Sequence, residues 1–242
     1  MLAFVDCHSH VVPSGDDGAV SVGDGRALCR SAAQHGTGVL FATPHVWPHL
    51  PLTPERERAV RAAFEEVRIG AGLELRLGFE LTPSPALLAE DAERYVLDGT
   101  DRVLLEVDFT GPADLTFALA DHVERSGLRP VIAHPERTEA VLDDPSVADE
   151  LAARGWTLQV NASSLTGRHG PAIEELGWSL VEGGLAGVVA SDGHRMTRPA
   201  HLDEAYRLVR DRLGERADEL FDGSSLGVTP SRTASRAASP GA

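Results

Sequence analysis

Residues 102–137 read RVLLEVDFTGPADLTFALADHVERSGLRPVIAHPER, and this one stretch holds a strand, a helix and a second strand in succession. Apart from Glu106, the runs Arg102–Val107 and Arg129–Ala133 are too uniformly aliphatic to leave a face in water, as expected of parallel strands covered on both sides. Between them, Pro112-Ala113-Asp114 opens a segment with helical spacing that reaches Ser126. The same rhythm repeats outward in both directions. Apolar runs at Leu2–Val5, Gly38–Ala42, Leu73–Gly78, Thr157–Val160 and Ala186–Ala190 bring the expected strands to seven, and Thr53-Pro54-Glu55 opens a helix toward Ile69. A repeat of about 30 residues per unit predicts an α/β fold whose parallel sheet closes into a barrel wrapped by helices, with an open doubly wound sheet as the alternative.

The chain has 242 residues, 42% hydrophobic and 24% charged, enough for one well-buried core. All 22 basic residues are arginine. The absence of lysine excludes Schiff-base and pyridoxal chemistry, a Walker phosphate loop and a kinase site. A net charge of −15 without a basic run argues against a nucleic-acid or anionic-membrane surface, and no apolar run is long enough for membrane insertion. Two cysteines and an N-terminus without a basic, then apolar, leader lead us to expect a reducing, cytoplasmic compartment. Residues 1–222 are expected to form one catalytic domain; residues 223–242, rich in Ser, Ala, Gly, Pro and Thr, are expected to be a disordered tail.

The chemistry gathers where the strands end. Asp6-Cys7-His8-Ser9-His10 closes the first strand; at a period of two, Asp6, His8 and His10 share a face, and Asp6 stands ready to orient an imidazole. Cys7 is read as core packing. Later strands run into His45, Glu80, Glu106, His134, and Asp192 with His194, and the first loop adds Asp16-Asp17-Gly18. Glu106, after Leu104-Leu105, is costly to bury unless a cation or donor meets it. Five histidines with Asp17, Glu80, Glu106 and Asp192 are too many ligands for one ion and suit a polynuclear centre. Arg137 and Arg198, shortly after His134 and His194, have forks that hold phosphate oxygens bidentately.

DCHSHVVPSGDDGA at 6–19, TPHV at 43–46, GFE at 78–80, LLEV at 104–107, VIAHPER at 131–137, QVNASSL at 159–165 and ASDGHRMTRPAHLDEAY at 190–206 follow one another in a pattern that resembles the PHP (polymerase and histidinol phosphatase) superfamily of metal-dependent phosphoesterases. Within it the chain is most similar to the bacterial capsule and exopolysaccharide tyrosine-protein phosphatases of the CpsB/YwqE type. The resemblance implies a distorted seven-stranded (β/α) barrel, the PHP fold, and three divalent ions, manganese first, with iron, cobalt or zinc as alternatives. It implies that His8, His10, Glu80 and Asp192 hold one ion, that Glu80, Glu106 and His134 hold a second with Glu80 bridging, and that Asp17, His45 and His194 hold the third. Arg137 and Arg198 then bind the substrate phosphate.

The expected activity is hydrolysis of phosphotyrosine in protein by in-line attack of a metal-bridging hydroxide, with the tail of a bacterial tyrosine kinase of capsule or exopolysaccharide synthesis as partner. The cysteine route fails because the positions six beyond Cys7 and Cys29 hold Pro13 and His35, not arginine. Alternatives are a small phosphomonoester such as histidinol phosphate or a nucleotide as substrate, or a silent metal-binding docking module. Trp47 is a candidate to stack on the phosphotyrosine ring. His35, His49, His122, His169 and His201 match no ligand position and are read as structural or surface residues.

Overall fold

A computed structural model describes residues 2–229. The strands are β1 (Phe4–Asp6), β2 (Thr37–Ala42), β3 (His45–Val46), β4 (Glu74–Leu77), β5 (Glu80–Leu81), β6 (Arg102–Glu106), β7 (Arg129–Ala133), β8 (Thr157–Asn161) and β9 (Ala186–Ala190). The helices are α1 (Val22–Gln34), α2 (Pro54–Arg68), α3 (Asp114–Arg125), α4 (Glu139–Asp143), α5 (Ser146–Ala153), α6 (Ala162–Leu165), α7 (Pro171–Glu182) and α8 (Asp203–Leu213). Thr53 caps α2 by accepting from the Arg56 N–H, with Pro54 in the first turn, so the helix starts where its sequence signals place it.

All strand pairs are parallel, in sheets ordered β1-β2-β4 and β3-β5-β6-β7-β8-β9. Two of the expected strands, β2 and β4, are therefore each followed after a short break by a second strand, β3 and β5. One break lies at Thr43-Pro44, where proline has no N–H to give the ladder. The other lies at Gly78-Phe79; a Cβ on Gly78 would fall 2.4 Å from Leu97 Cδ2, so glycine lets Leu97 pack directly beneath the backbone. Pairing resumes at once beyond both breaks. Gly78 N–H donates to Ala42 O at 2.9 Å, Glu80 N–H to Pro44 O at 3.2 Å and Thr82 N–H to Val46 O at 3.2 Å. Beyond their ends, β1 and β9 are linked by Asp192 N–H to His8 O at 2.9 Å and His10 N–H to Gly193 O at 2.7 Å.

Side chains alternate between an inner and an outer core. Val5, Cys7, Val39, Phe41, Leu104, Val131, Ala133, Val188 and Ala190 form the inner cluster, while Leu40, Leu105, Ile132 and Val189 face the helices. The period of two then delivers Glu106, next on the parity of Leu104, to the inner side at the carboxyl end. Cys7 packs in this inner core, as its sequence context suggested.

The packed chain runs past residue 222. Ser224–Leu226 form a 3-10 turn, Leu226 and Val228 are buried in the inner cluster, and the Arg102 guanidinium donates to Ser225 O at 2.8 Å. A tail boundary at 223 is thus too early: two apolar residues at alternate positions are enough to bury a segment whose composition is otherwise that of a linker. The rest of the expected tail, from 230 to 242, lies outside the described residues. Among the described residues no helix is long and apolar enough to cross a membrane.

Candidate active site

The nine candidate ligands converge at the carboxyl ends of the strands. Glu80, at the start of β5, is fully buried and stands at the centre. Its Oε2 lies 3.0 Å from His8 Nε2, 3.2 Å from His10 Nε2 and 3.0 Å from His45 Nδ1, and its Oε1 lies 3.0 Å from His134 Nε2. Asp192 Oδ1 is 3.5 Å from both His8 Nε2 and His10 Nε2. On the outer side, Asp17 Oδ1 lies 3.3 Å from His194 Nε2 and 3.7 Å from His45 Nε2. Glu106 is buried beside this group and accepts from the Thr82 hydroxyl, two residues beyond Glu80 on the same strand parity.

Two backbone positions aim ligands inward. His134, directly beyond β7, and Asp192, two residues beyond β9, have φ of 35° and 52°, and they are the non-glycine residues with positive φ among those described. That conformation costs of order 1 kcal/mol or more and marks a place where the surroundings dictate side-chain direction.

Three imidazoles are held by one nitrogen so that the other faces the centre. His8 Nδ1 pairs with Gln159 Oε1 at 2.9 Å, His10 Nδ1 with Asp16 Oδ2 at 3.4 Å, and His194 Nδ1 with the Asp192 carbonyl at 2.9 Å. In each pair the oxygen only accepts, so Nδ1 carries the proton and Nε2 keeps a lone pair, the arrangement typical of metal-ligating histidine. Asp16, next to the expected ligand Asp17, also accepts from the His45 and Gly18 N–H groups, at 3.1 Å each, and so ties the first loop to two histidines. A relay runs on from Gln159: its Nε2 donates to Asn161 Oδ1 at 2.8 Å, and Asn161 Nδ2 donates to Asp192 Oδ2 at 2.8 Å. Gln159 and Asn161 on β8 therefore fix a histidine and a carboxylate from opposite strands together. The sequence carried this signal only as the QVN tripeptide, with two amides sharing a face.

Asp6 is buried behind His8 and accepts from the Ser191 N–H at 3.0 Å and the His8 N–H at 3.4 Å. It stitches β1 to the end of β9 through backbone groups and, among the described residues, has no hydrogen bond to an imidazole nitrogen, in place of the orienting role its position suggested. Burial pushes its carboxyl up to about 6. Arg137 Nη1 donates to Asp192 Oδ2 at 2.9 Å, and Arg198 Nη2 donates to the same oxygen. Two guanidinium groups on one carboxylate oxygen make a positive wall to a cavity of about 330 Å³, which is also lined by Trp47, Phe109, Glu106 and His194.

The donor set fits divalent cations. Glu80 Oε2, Glu106 Oε2, His45 Nδ1 and His134 Nδ1 are buried and have no hydrogen-bond partner among the described residues. His45 Nδ1 and Glu80 Oε2 approach to 3.0 Å without hydrogen-bond direction, as lone pairs do when they point at a common centre. Burial, followed by the neighbouring charge of Glu80, pushes the Glu106 carboxyl up to about 8. Without a cation these carboxylates repel one another in a dry site.

Ligand atoms fall within 4.8 Å of one another in four overlapping sets, namely His10-Asp17-His45-His194, His8-His134-Asp192, His8-His10-Glu80 and His45-Glu80-Glu106. Relative to the partition implied by the resemblance, His10 joins the outer set, His134 lies with His8 and Asp192, and Glu106 lies with His45. A further group, His35-His201-Asp203, stands apart between α1 and α8. There the two rings are stacked 3.7 Å apart, and Ser31 and Asp203 each engage one ring nitrogen. Of the other histidines set aside, His122 pairs with Glu90 O and His169 with Ser163 Oγ, at 2.8 Å each, and His49 stacks on Trp47.

The relay through β8 has a measurable consequence. Gln159→Leu keeps the volume but removes the acceptor of His8 Nδ1–H, and we expect manganese affinity to fall about 10- to 100-fold. Calorimetric titration of metal-stripped protein checks this; unchanged affinity would mean that the relay does not orient His8.

A parallel α/β sheet that collects histidines, carboxylates and paired arginines at the carboxyl ends of its strands defines a metal-dependent hydrolase. Residues 4–223 match the family described as capsular polysaccharide synthesis, CpsB/CapC, and the chain belongs to that family. It is 30% identical over 218 residues to tyrosine-protein phosphatase YwqE of Bacillus subtilis (strain 168), covering 87% of this chain and 85% of the relative. It is 27% identical over 232 residues to tyrosine-protein phosphatase CpsB of Streptococcus pneumoniae, covering 90% and 95% respectively. A solved structure from work on YwqE of Bacillus subtilis and CpsB of Streptococcus pneumoniae, described as metal-dependent tyrosine phosphatases, superposes with a TM-score of 0.76 at 28% identity over 88% of this chain and 89% of that one. An organophosphorus hydrolase variant from Deinococcus radiodurans shares the fold alone, with a TM-score of 0.57 at 14% identity over 93% of this chain and 92% of that one.

Proposed function

We propose that this protein is a metal-dependent phosphatase that hydrolyses phosphotyrosine in proteins, and that its substrate is a tyrosine kinase of capsule or exopolysaccharide synthesis. The observation that carries this reading is the buried, unpaired donor set around Glu80 with Arg137 and Arg198 at its rim. Membership of the CpsB/CapC family supports the choice of substrate. In the same reading the two sheets and the links between β1 and β9 form a distorted (β/α)7 barrel of the PHP type, with the site at the carboxyl ends of its strands.

His8, His10, Asp17, His45, Glu80, Glu106, His134, Asp192 and His194 would hold three divalent ions; mixed nitrogen and carboxylate donors suit manganese, with iron, cobalt or zinc as alternatives. Bound there, such ions supply Lewis-acid activation of water and neutralise charge at phosphorus. The chain's own residues do the rest. Arg137 and Arg198 present donors to the non-bridging oxygens, and a phosphate would share with Asp192 the guanidinium groups that now hold it. Gln159, Asn161 and Asp16 keep the ligands in place, and burial keeps the interactions undiluted by solvent. Phenolate leaves with a pKa near 10, so a strong proton donor is not obligatory. The cysteines take no part: both are buried, and burial pushes the Cys29 thiol up to about 12 and that of Cys7 higher still.

The test is steady-state hydrolysis of a phosphotyrosine peptide beside a phosphoserine peptide, histidinol phosphate and AMP, using metal-stripped protein with manganese added back. Manganese-dependent turnover strongest on the phosphotyrosine peptide is expected. Preference for a small phosphate would overturn the substrate, and silence on all four with manganese bound would overturn the catalysis.

A further inference from the structure

The aromatic residue that the sequence put forward for substrate contact, Trp47, is already engaged. Its indole lies parallel to the His45 ring at 4.3 Å and to the His49 ring at 5.1 Å. Phe109, three residues beyond Glu106, differs: it lines the same cavity and its residue surface is 45% exposed, and it is the one Phe, Tyr or Trp in the exposed class among the described residues. It is also held firmly. Its carbonyl accepts from the Glu139 N–H at 3.0 Å, and Glu139 Oε2 accepts from the Gly111 N–H at 3.0 Å, so the loop after β6 is tied, at and just beyond Phe109, to the start of α4. The ring lies parallel to that of His134 at 5.4 Å, and the Arg137 guanidinium sits 5.1 Å from its centre. A candidate metal ligand and a candidate phosphate-binding arginine thus both adjoin a fixed, partly open aromatic surface.

We propose that Phe109 determines specificity for aryl phosphates by packing its exposed surface against the ring of the substrate while the phosphoryl group reaches the donors below the rim. This rests on the phosphatase reading above and adds the residue that selects the ester. Glu80, His8 and Glu106 are buried, so an ester whose phosphorus reaches them must place the first carbons of its leaving group between the walls of the cleft. A phenyl ring offers a flat apolar surface there, and the single methylene of a serine ester offers almost none. Aromatic pairs gain from dispersion and quadrupole complementarity in addition to burial.

The test compares the wild type with Phe109→Ala and Phe109→Trp on a phosphotyrosine peptide and on the phosphoserine peptide of the same sequence, with inorganic phosphate as competitive inhibitor. Phe109→Ala is expected to raise KM for the phosphotyrosine peptide about tenfold. The inhibition constant of inorganic phosphate should move less than about twofold, and Phe109→Trp should restore most of the KM. An unchanged KM in the alanine variant of an enzyme that does hydrolyse the phosphotyrosine peptide would overturn this inference alone. A phosphate inhibition constant that rises in step with KM would also overturn it, since Phe109 would then only prop Arg137 and His134. A wild type that fails on the phosphotyrosine peptide, or prefers the phosphoserine one, would overturn the phosphatase reading together with it.

Discussion

Glu80→Gln is expected to lower kcat/KM for a phosphotyrosine peptide by about a thousandfold or more, with the fold retained. No other carboxylate in the site meets four imidazoles at 3.0 to 3.2 Å, with three of them on one oxygen. Glutamine preserves the shape but removes the charge, and it turns one ligand oxygen into an NH2 group, which can donate to imidazole lone pairs but cannot bind a cation. The sets built on His8 and His10 and on His45 and Glu106 both include Glu80, so the substitution disables both. Stability separates this loss from unfolding. In chelator neither protein holds metal, so the melting point of the variant there reads what the substitution alone costs the fold, a cost expected because Glu80 is set among four imidazoles. On adding manganese, the wild type should gain stability by mass action and the variant should gain much less. Full turnover by Glu80→Gln, or an undiminished manganese shift, would sink the proposed centre.

How far this could be read from sequence depends on the kind of interaction. Parallel strands covered on both faces are written as continuous aliphatic runs, so the β6-α3-β7 unit was legible from residues 102–133 alone. A candidate ligand at a strand's end is also legible, because position along the strand is a local property; Glu106 and His134 are examples. What is not local was not legible. The grouping of candidate ligands depends on where side chains from different strands meet, so that His10 lies both with His8 and Glu80 and with His194, and His134 with His8 as well as with Glu80. Thr82, Asp16, Gln159 and Asn161 act across strands or loops, and nothing in their immediate surroundings distinguishes them from ordinary strand or turn residues. The breaks at Pro44 and Gly78 have a local cause in one case, and in the other a tertiary one, the close approach of Leu97. Trp47 stood out in the sequence and Phe109 did not for the same reason: whether an aromatic surface is covered depends on its neighbours.

Arg137→Ala is expected to lower kcat/KM for the same peptide by about a hundredfold or more, and Arg137→Lys should recover little of it. The Arg137 side chain is 15% exposed and its neighbours leave it one direction to donate: Asp192 on one side, the Phe109 ring on the other, and the cleft between. A planar fork in a partly dry site can grip two phosphate oxygens at once, and ammonium on a flexible stem cannot, so charge alone does not restore the contact. Arg198, 31% exposed in its side chain and placed on the same Asp192 oxygen, is expected to contribute less, about tenfold, because solvent competes for it. The two effects should not add. Removing either guanidinium leaves the other as the one charged donor to Asp192 Oδ2 beside the Asn161 amide, so the double variant should lose more than the product of the single losses. The inhibition constant of inorganic phosphate at saturating manganese locates the effect. In Arg137→Ala it should rise in proportion to the loss of kcat/KM if the guanidinium holds the phosphoryl group, in contrast to the small change expected for Phe109→Ala. If phosphate inhibition stays constant while manganese affinity falls, Arg137 would act on Asp192 alone, and its assignment to the substrate would fail.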